Sequence, residues 1–243
     1  MAHESHTKTL PTSLGAPPFV DGWLRQSLMV GAIATVAAVV LAYLGQAQDG
    51  LGWVHFLRAW VLGLMLTFGF AVGGLALLMV QYCSGGKWGL LLRRPLEAMS
   101  RTLPVVFVYW LVMAFFAKRL FLWAQYPDVA STESALKAGL ITELQAHCLN
   151  FKRSMLAPGM FWIVSLLCFA IWAYYTWHLN KLGLKRDSES EDRTSYWIKK
   201  LENISGPGIV VYSLTMTAGG IACVMSMDIT WYSSGIGWSS SSS

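Results

Sequence analysis

Apolar residues along this chain fall into five blocks, each bounded by charged or turn-forming residues. They run about Leu28–Leu44, Ala59–Val80, Leu103–Ala117, Leu156–Trp177 and Ile209–Met227. None alternates with the period of a barrel strand, and each is too long for a single strand. An α-helix rises about 1.5 Å per residue, so a bilayer core of about 30 Å takes about 20 apolar residues. The blocks therefore predict five transmembrane helices in an all-α, polytopic bundle. The third block is the shortest, and its Lys118-Arg119 end is expected to snorkel toward the interface.

The segments between blocks have their own patterns. Residues 1–27 read as a polar tail, and the first 22 hold no apolar run of the kind a cleavable signal peptide needs. Between the third and fourth blocks, Ser131 to Glu133 resemble a helix start, and Leu136, Leu140, Ile141 and Leu144 then share one face. That pattern predicts an amphipathic helix over about 132–147, lying on the membrane surface. The Ser- and Glu-rich stretch Lys185–Thr194 is expected to be a solvated loop. The bundle is expected to occupy 28–229, with a tail at 230–243 whose serine run, Ser239–Ser243, is low-complexity and fits a truncated chain. In the second block Gly69 and Gly73 form a GxxxG pair followed by Gly74, which predicts close helix packing there.

Charge sets the orientation. With five spans, Lys8, Arg25, Lys87, Arg93, Arg94, Arg101, Lys181, Lys185, Arg186, Arg193, Lys199 and Lys200 fall on one side. Arg58, Lys118, Arg119, Lys137, Lys152 and Arg153 fall on the other. The two-to-one bias places the N terminus in the cytoplasm. Composition agrees with a membrane protein: 55% of the 243 residues are hydrophobic and only 13% are charged, against roughly a quarter charged in a soluble domain. The net charge of +5 is carried at block ends, where it meets lipid headgroups, so nucleic acid is not an expected partner. Many of the twelve tryptophans also sit at block ends, among them Trp23, Trp53, Trp88, Trp123, Trp177, Trp231 and Trp238, and read as interfacial anchors.

The residues that could carry chemistry are few. Cys83, Cys148, Cys168 and Cys223 include no CxxC pair, so buried thiols are expected, without disulfides, metal or iron–sulfur ligation. Haem held within a bundle needs histidines inside helices. His3 and His6 lie in the tail, His55 before the second block, His147 in a connector and His178 just past the fourth. Nucleotide-binding glycine motifs are absent. No cofactor is therefore expected on this chain, and no metal or catalytic residue is assigned. Ionisable groups near membrane depth are costly and often functional. The best candidates for a proton pathway or an interface are Arg93, Arg94 and Glu97, with Asp228, Trp231 and Ser233. Their plainer reading is headgroup contact, a local salt bridge and a solvated helix end.

Several runs taken together resemble one family. They are Gly73-Gly-Leu-Ala-Leu-Leu-Met-Val-Gln-Tyr82, Ser84-Gly-Gly-Lys-Trp-Gly89, Arg93-Arg-Pro-Leu-Glu97, Arg101-Thr-Leu-Pro104, Ser205-Gly-Pro-Gly-Ile-Val-Val-Tyr212 and Val224-Met-Ser-Met-Asp-Ile-Thr-Trp-Tyr-Ser233. In order and position they resemble the ActF-type membrane subunit of alternative complex III, a bacterial quinol:cytochrome c oxidoreductase, from about Arg58 onward. The resemblance implies a bacterial inner-membrane subunit beside a quinol-binding paralogue, with multihaem cytochrome c and iron–sulfur subunits. Quinol, haem c and iron–sulfur clusters would then sit in the partners, and this subunit would contribute structure and a proton route.

The chain departs from that family in two ways. The family has about ten helices, so this chain resembles its first half. The family also has Asp-Trp before Val-Met-Ser and Pro-His before the following Trp, where this chain has Ala222-Cys223 and Ile229-Thr230. A relay through the fifth helix thereby loses an acid and a histidine. Two alternatives follow: a non-redox membrane scaffold for another assembly, and half of a secondary transporter, to which only Gly219-Gly220 point.

Overall fold

The structure is a computed structural model that describes residues 18–85, 89–153, 157–188 and 191–221. The described residues form helices and connecting turns only: α1 (Pro18–Asp49), α2 (Gly52–Ser84), α3 (Gly89–Ser100), α4 (Leu103–Phe115), α5 (Ala117–Leu120), α6 (Leu122–Gln125), α7 (Val129–Lys137), α8 (Glu143–Lys152), α9 (Pro158–Ser188) and α10 (Glu191–Gly219). Among the described residues, four helical runs are long and apolar enough to cross a membrane: Val20–Gln48, Gly52–Ser84, Leu91–Phe115 and Gly159–Ser188. The protein is an all-α, multi-pass membrane protein. The fifth predicted span, 209–227, begins within α10, and its end, 222–227, lies outside the described residues.

The chain divides into two units, Met1–Phe56 and Leu57–Ser243. The first contains α1 and the opening turn of α2. Gly50 takes a φ of 69° between them, a backbone conformation open to glycine at no steric cost. The two helix ends then approach so closely that a Cβ on Gly45 would lie 3.3 Å from the Gly52 Cα.

In the second unit the core lies where α2, α4 and α9 meet. Leu75, Leu78 and Met79 of α2, Val106, Trp110 and Met113 of α4, and Leu179 of α9 are all buried. Trp110 stacks on Phe161 and meets Phe169 at a tilt. The indole N–H of Trp60 donates to the Tyr109 carbonyl at 3.0 Å, which fixes the height of α2 against α4. Further along, the Trp172 Nε1 donates to Thr215 Oγ1 at 2.9 Å and joins α9 to α10.

Three expectations change. The helical run at the third block is longer than the block: α3 precedes the thirteen residues of α4 across the turn at Arg101–Thr102, and Leu91–Phe115 as a whole is long and apolar enough to cross a membrane. The fourth and fifth helices also overrun their apolar blocks, α9 reaching Ser188 and α10 starting at Glu191. Of the loop expected over 185–194, only 189–190 lie outside the described helices. Hydropathy reports the thickness of the bilayer, and a Lys-, Arg- and Glu-bearing segment of good helix propensity continues past it.

The surface helix over 132–147 is in fact two. Gly139, at φ 69°, ends α7: its N–H donates to Leu136 O and that of Leu140 to Ala135 O, both at 3.0 Å, the double bond of a glycine-terminated helix. Thr142 then starts α8 through a reciprocal box with Gln145. The break divides the expected apolar face, leaving Ile141 buried while Leu140 and Leu144 are exposed. Likewise His55 falls inside α2, His147 inside α8 and His178 inside α9.

Candidate functional site, an ion cluster at the Arg-rich end

α2 ends at Ser84 with Tyr82 facing inward, and α3 follows after a short connector. Residues three and four apart share a helix face, so Arg93, Arg94 and Glu97 converge. Arg93 Nε donates to Glu97 Oε1 at 2.8 Å, and Arg94 Nη1 donates to Glu97 Oε2 at 3.1 Å. Glu97 Oε1 also accepts from the Tyr82 hydroxyl at 3.2 Å.

The remaining guanidinium nitrogens reach α9. Arg93 Nη1 and Nη2 donate to Asp187 Oδ1 and Oδ2 at 3.0 and 2.8 Å, and Arg94 Nη2 donates to Asp187 Oδ2 at 2.8 Å. Arg93 Nη2 also donates to the Gly183 carbonyl at 3.1 Å. Gly183 leaves room for the cluster: a Cβ would lie 2.9 Å from Glu97 Oε1 and 3.3 Å from Arg93 Nη2, so both side chains would have to shift.

Arg93 and Glu97 are buried, while Arg94 is half-exposed at 55% of its side chain. Burying a charge is costly unless it is paired and its hydrogen bonds are filled. Arg93 and Arg94, with Arg186 at 3.6 Å from Asp187, face two carboxylates, and every Arg93 donor group has an acceptor. Both Glu97 oxygens accept, as do both Asp187 oxygens. The bidentate fork adds geometric specificity to the Coulomb attraction. The cluster thus ties α2, α3 and α9 together at one end of the bundle.

A second polar layer, with no carboxylate among the described residues, lies one turn deeper. Asn180 donates through Nδ2 to Ser100 Oγ at 3.1 Å and to the Thr176 carbonyl at 2.7 Å, and accepts from Arg101 Nε at 2.8 Å.

Of the residues singled out from sequence, Arg93, Arg94 and Glu97 come together as one cluster. Asp228, Trp231 and Ser233, with Ala222, Cys223, Ile229 and Thr230, lie outside the described residues. Of the three glycines, Gly74 makes a close approach among the described residues: a Cβ there would meet the Met99 Cβ at 2.8 Å, so it seats α3 on α2, while the 69/73 face meets no other described helix of the Leu57–Ser243 unit. Spacing alone cannot distinguish the two, because both the 69/73 face and Gly74 offer small residues.

Sequence reasoning missed Asp187, Gly183 and Asn180. A usable signal existed for the first: an arginine pair beside a membrane block needs acids, and Asp187 lies within the neighbouring helix. Cys83, Cys148 and Cys168 form no disulfide among the described residues. Among the described residues, no three His, Cys, Asp or Glu side chains converge as metal ligands would. No protein-family model matches the chain, and neither does any curated protein.

Proposed function

We propose that the chain is a membrane subunit of an electron-transport complex of the alternative complex III type, in a bacterial inner membrane with its N terminus in the cytoplasm. In this reading quinol is oxidised in a paralogous partner, and electrons pass through partner iron–sulfur and multihaem cytochrome c subunits. The present chain holds the membrane arm together and contributes to a proton route.

One observation carries the proposal. The motif Arg93-Arg94-Pro95-Leu96-Glu97, central to the resemblance, coincides with the buried ion cluster that links three helices. A motif with that structural task is unlike a chance match of surface residues. A second reading, a scaffold for a non-redox assembly, draws on Ala222, Ile229 and Thr230, which leave the fifth span without the acid and histidine of the resemblance.

Mild-detergent purification of the native assembly, with mass spectrometry of every chain, separates the two. Multihaem cytochrome c and iron–sulfur subunits are expected to co-purify. An assembly lacking both would leave the scaffold reading in their place.

A further inference from the structure

We infer that the face between α4 and α9 holds one anionic phospholipid, its phosphate at Arg101 and Lys181 and an acyl chain along the groove below them. Such a site is independent of the proposed redox assembly.

The groove has a volume of about 860 Å³, within the range of about 300–1,000 Å³ usual for small-ligand sites. Its walls are apolar, with Leu103 and Phe107 on α4, and Ala170 and Ala173 leaving room on α9. From Asn180 to Leu166 it follows α9 for about 21 Å. One leaflet of a bilayer core is about 15 Å deep, so the groove accommodates a full acyl chain.

The polar end is built differently from the ion cluster nearby. There, Arg93 and Arg94 are matched by Glu97 and Asp187. Arg101 and Lys181 have no carboxylate partner among the described residues. Arg101 is aimed by a neutral residue, the buried Asn180, whose amide is itself held by Ser100 and the Thr176 carbonyl. Lys181 Nζ sits 4.6 Å from the centre of the Trp177 ring. Two oriented, uncompensated cations beside an interfacial indole match a lipid phosphate.

The test uses the full chain, purified in mild detergent, delipidated and titrated with phosphatidylglycerol or phosphatidylcholine under native mass spectrometry. Each cation near an anionic headgroup contributes roughly fivefold, so a preference for phosphatidylglycerol of about tenfold or more is expected. The double variant Arg101→Gln/Lys181→Gln should bind the two lipids equally, and Arg101→Lys/Lys181→Arg should restore the preference. Ala173→Phe, which fills the groove and leaves the charge unchanged, should lower retention of both lipids.

Equal binding of the two lipids by the unaltered chain would overturn the inference. So would unchanged preference in the double variant. Displacement of the lipid by millimolar glycerol phosphate would show a headgroup site without a chain groove, and would also overturn it.

Discussion

Arg93 holds Asp187 with both terminal nitrogens, at 3.0 and 2.8 Å, across 94 residues of sequence. This contact joins the start of the third span to the end of α9 and closes one end of the bundle. Its two acids are not equivalent. Glu97 has a side chain only 4% exposed, while that of Asp187 is 28% exposed.

Removing the buried acid is therefore expected to cost more. Glu97→Gln leaves Arg93 with one carboxylate in a dry site, a loss of about 3 kcal/mol. Asp187→Asn keeps Glu97 in place and admits water, a loss of about 1–2 kcal/mol. Thermal unfolding of the purified chain in detergent should rank the variants in that order, both below the unaltered protein. The reverse order would mean that Asp187, not Glu97, compensates the buried charge.

Close packing of α10 depends on Gly208. A Cβ there would approach Tyr175 Cε1 to 2.9 Å and Met79 Sδ to 3.0 Å, so Gly208→Ala should destabilise by about 1–3 kcal/mol. Gly63→Ala is the matched control, since its nearest neighbour would be Tyr109 Cε1 at 3.8 Å. It should be neutral or stabilise by about 0.5–1 kcal/mol through helix propensity. Equal melting temperatures for the two variants would count against the close approach at Gly208.

The interhelical bond from Trp172 to Thr215 makes a more modest prediction. Thr215→Val keeps the shape of the side chain and removes the acceptor of the indole N–H. Bonds of this kind in membrane bundles are worth about 0.6–1.7 kcal/mol. Trp172→Phe should cost more, because it also leaves a cavity at a residue only 3% exposed, and combining it with Thr215→Val should add little to that. Additive losses would show that the two residues act independently.

The apolar blocks of α1, α2, α4 and α9 were legible because hydropathy is local: each block reports its own environment. The continuation of α9 to Ser188 was not, since once a helix leaves the bilayer its residues need only helix propensity. Arg93, Arg94 and Glu97 could be read as a group because they lie within one helical turn and a half. For Asp187 the sequence offered only the arginines' need for an acid, because folding alone brings that residue near. The split between α7 and α8 was written in Gly139 and Thr142, but the apolar spacing of Leu136, Leu140, Ile141 and Leu144 suggested one continuous face.

The topology follows from the ion cluster and can be tested without any partner. Asp187 at the end of α9 meets Arg93 near the end of α2, so those helix ends share one membrane face. The turns around α7, preceding α9, must then share the other. In a background with Cys83, Cys148, Cys168 and Cys223 replaced by Ala, single cysteines are placed at the exposed positions Ser134 and Ser188. The charge bias predicts a cytoplasmic Ser188. A membrane-impermeant maleimide applied to intact cells in which only the cytoplasmic membrane bars its entry should therefore label Ser134→Cys, and label Ser188→Cys only after lysis. The opposite pattern would invert the orientation. Labelling of both from outside would mean that α9 does not cross the membrane.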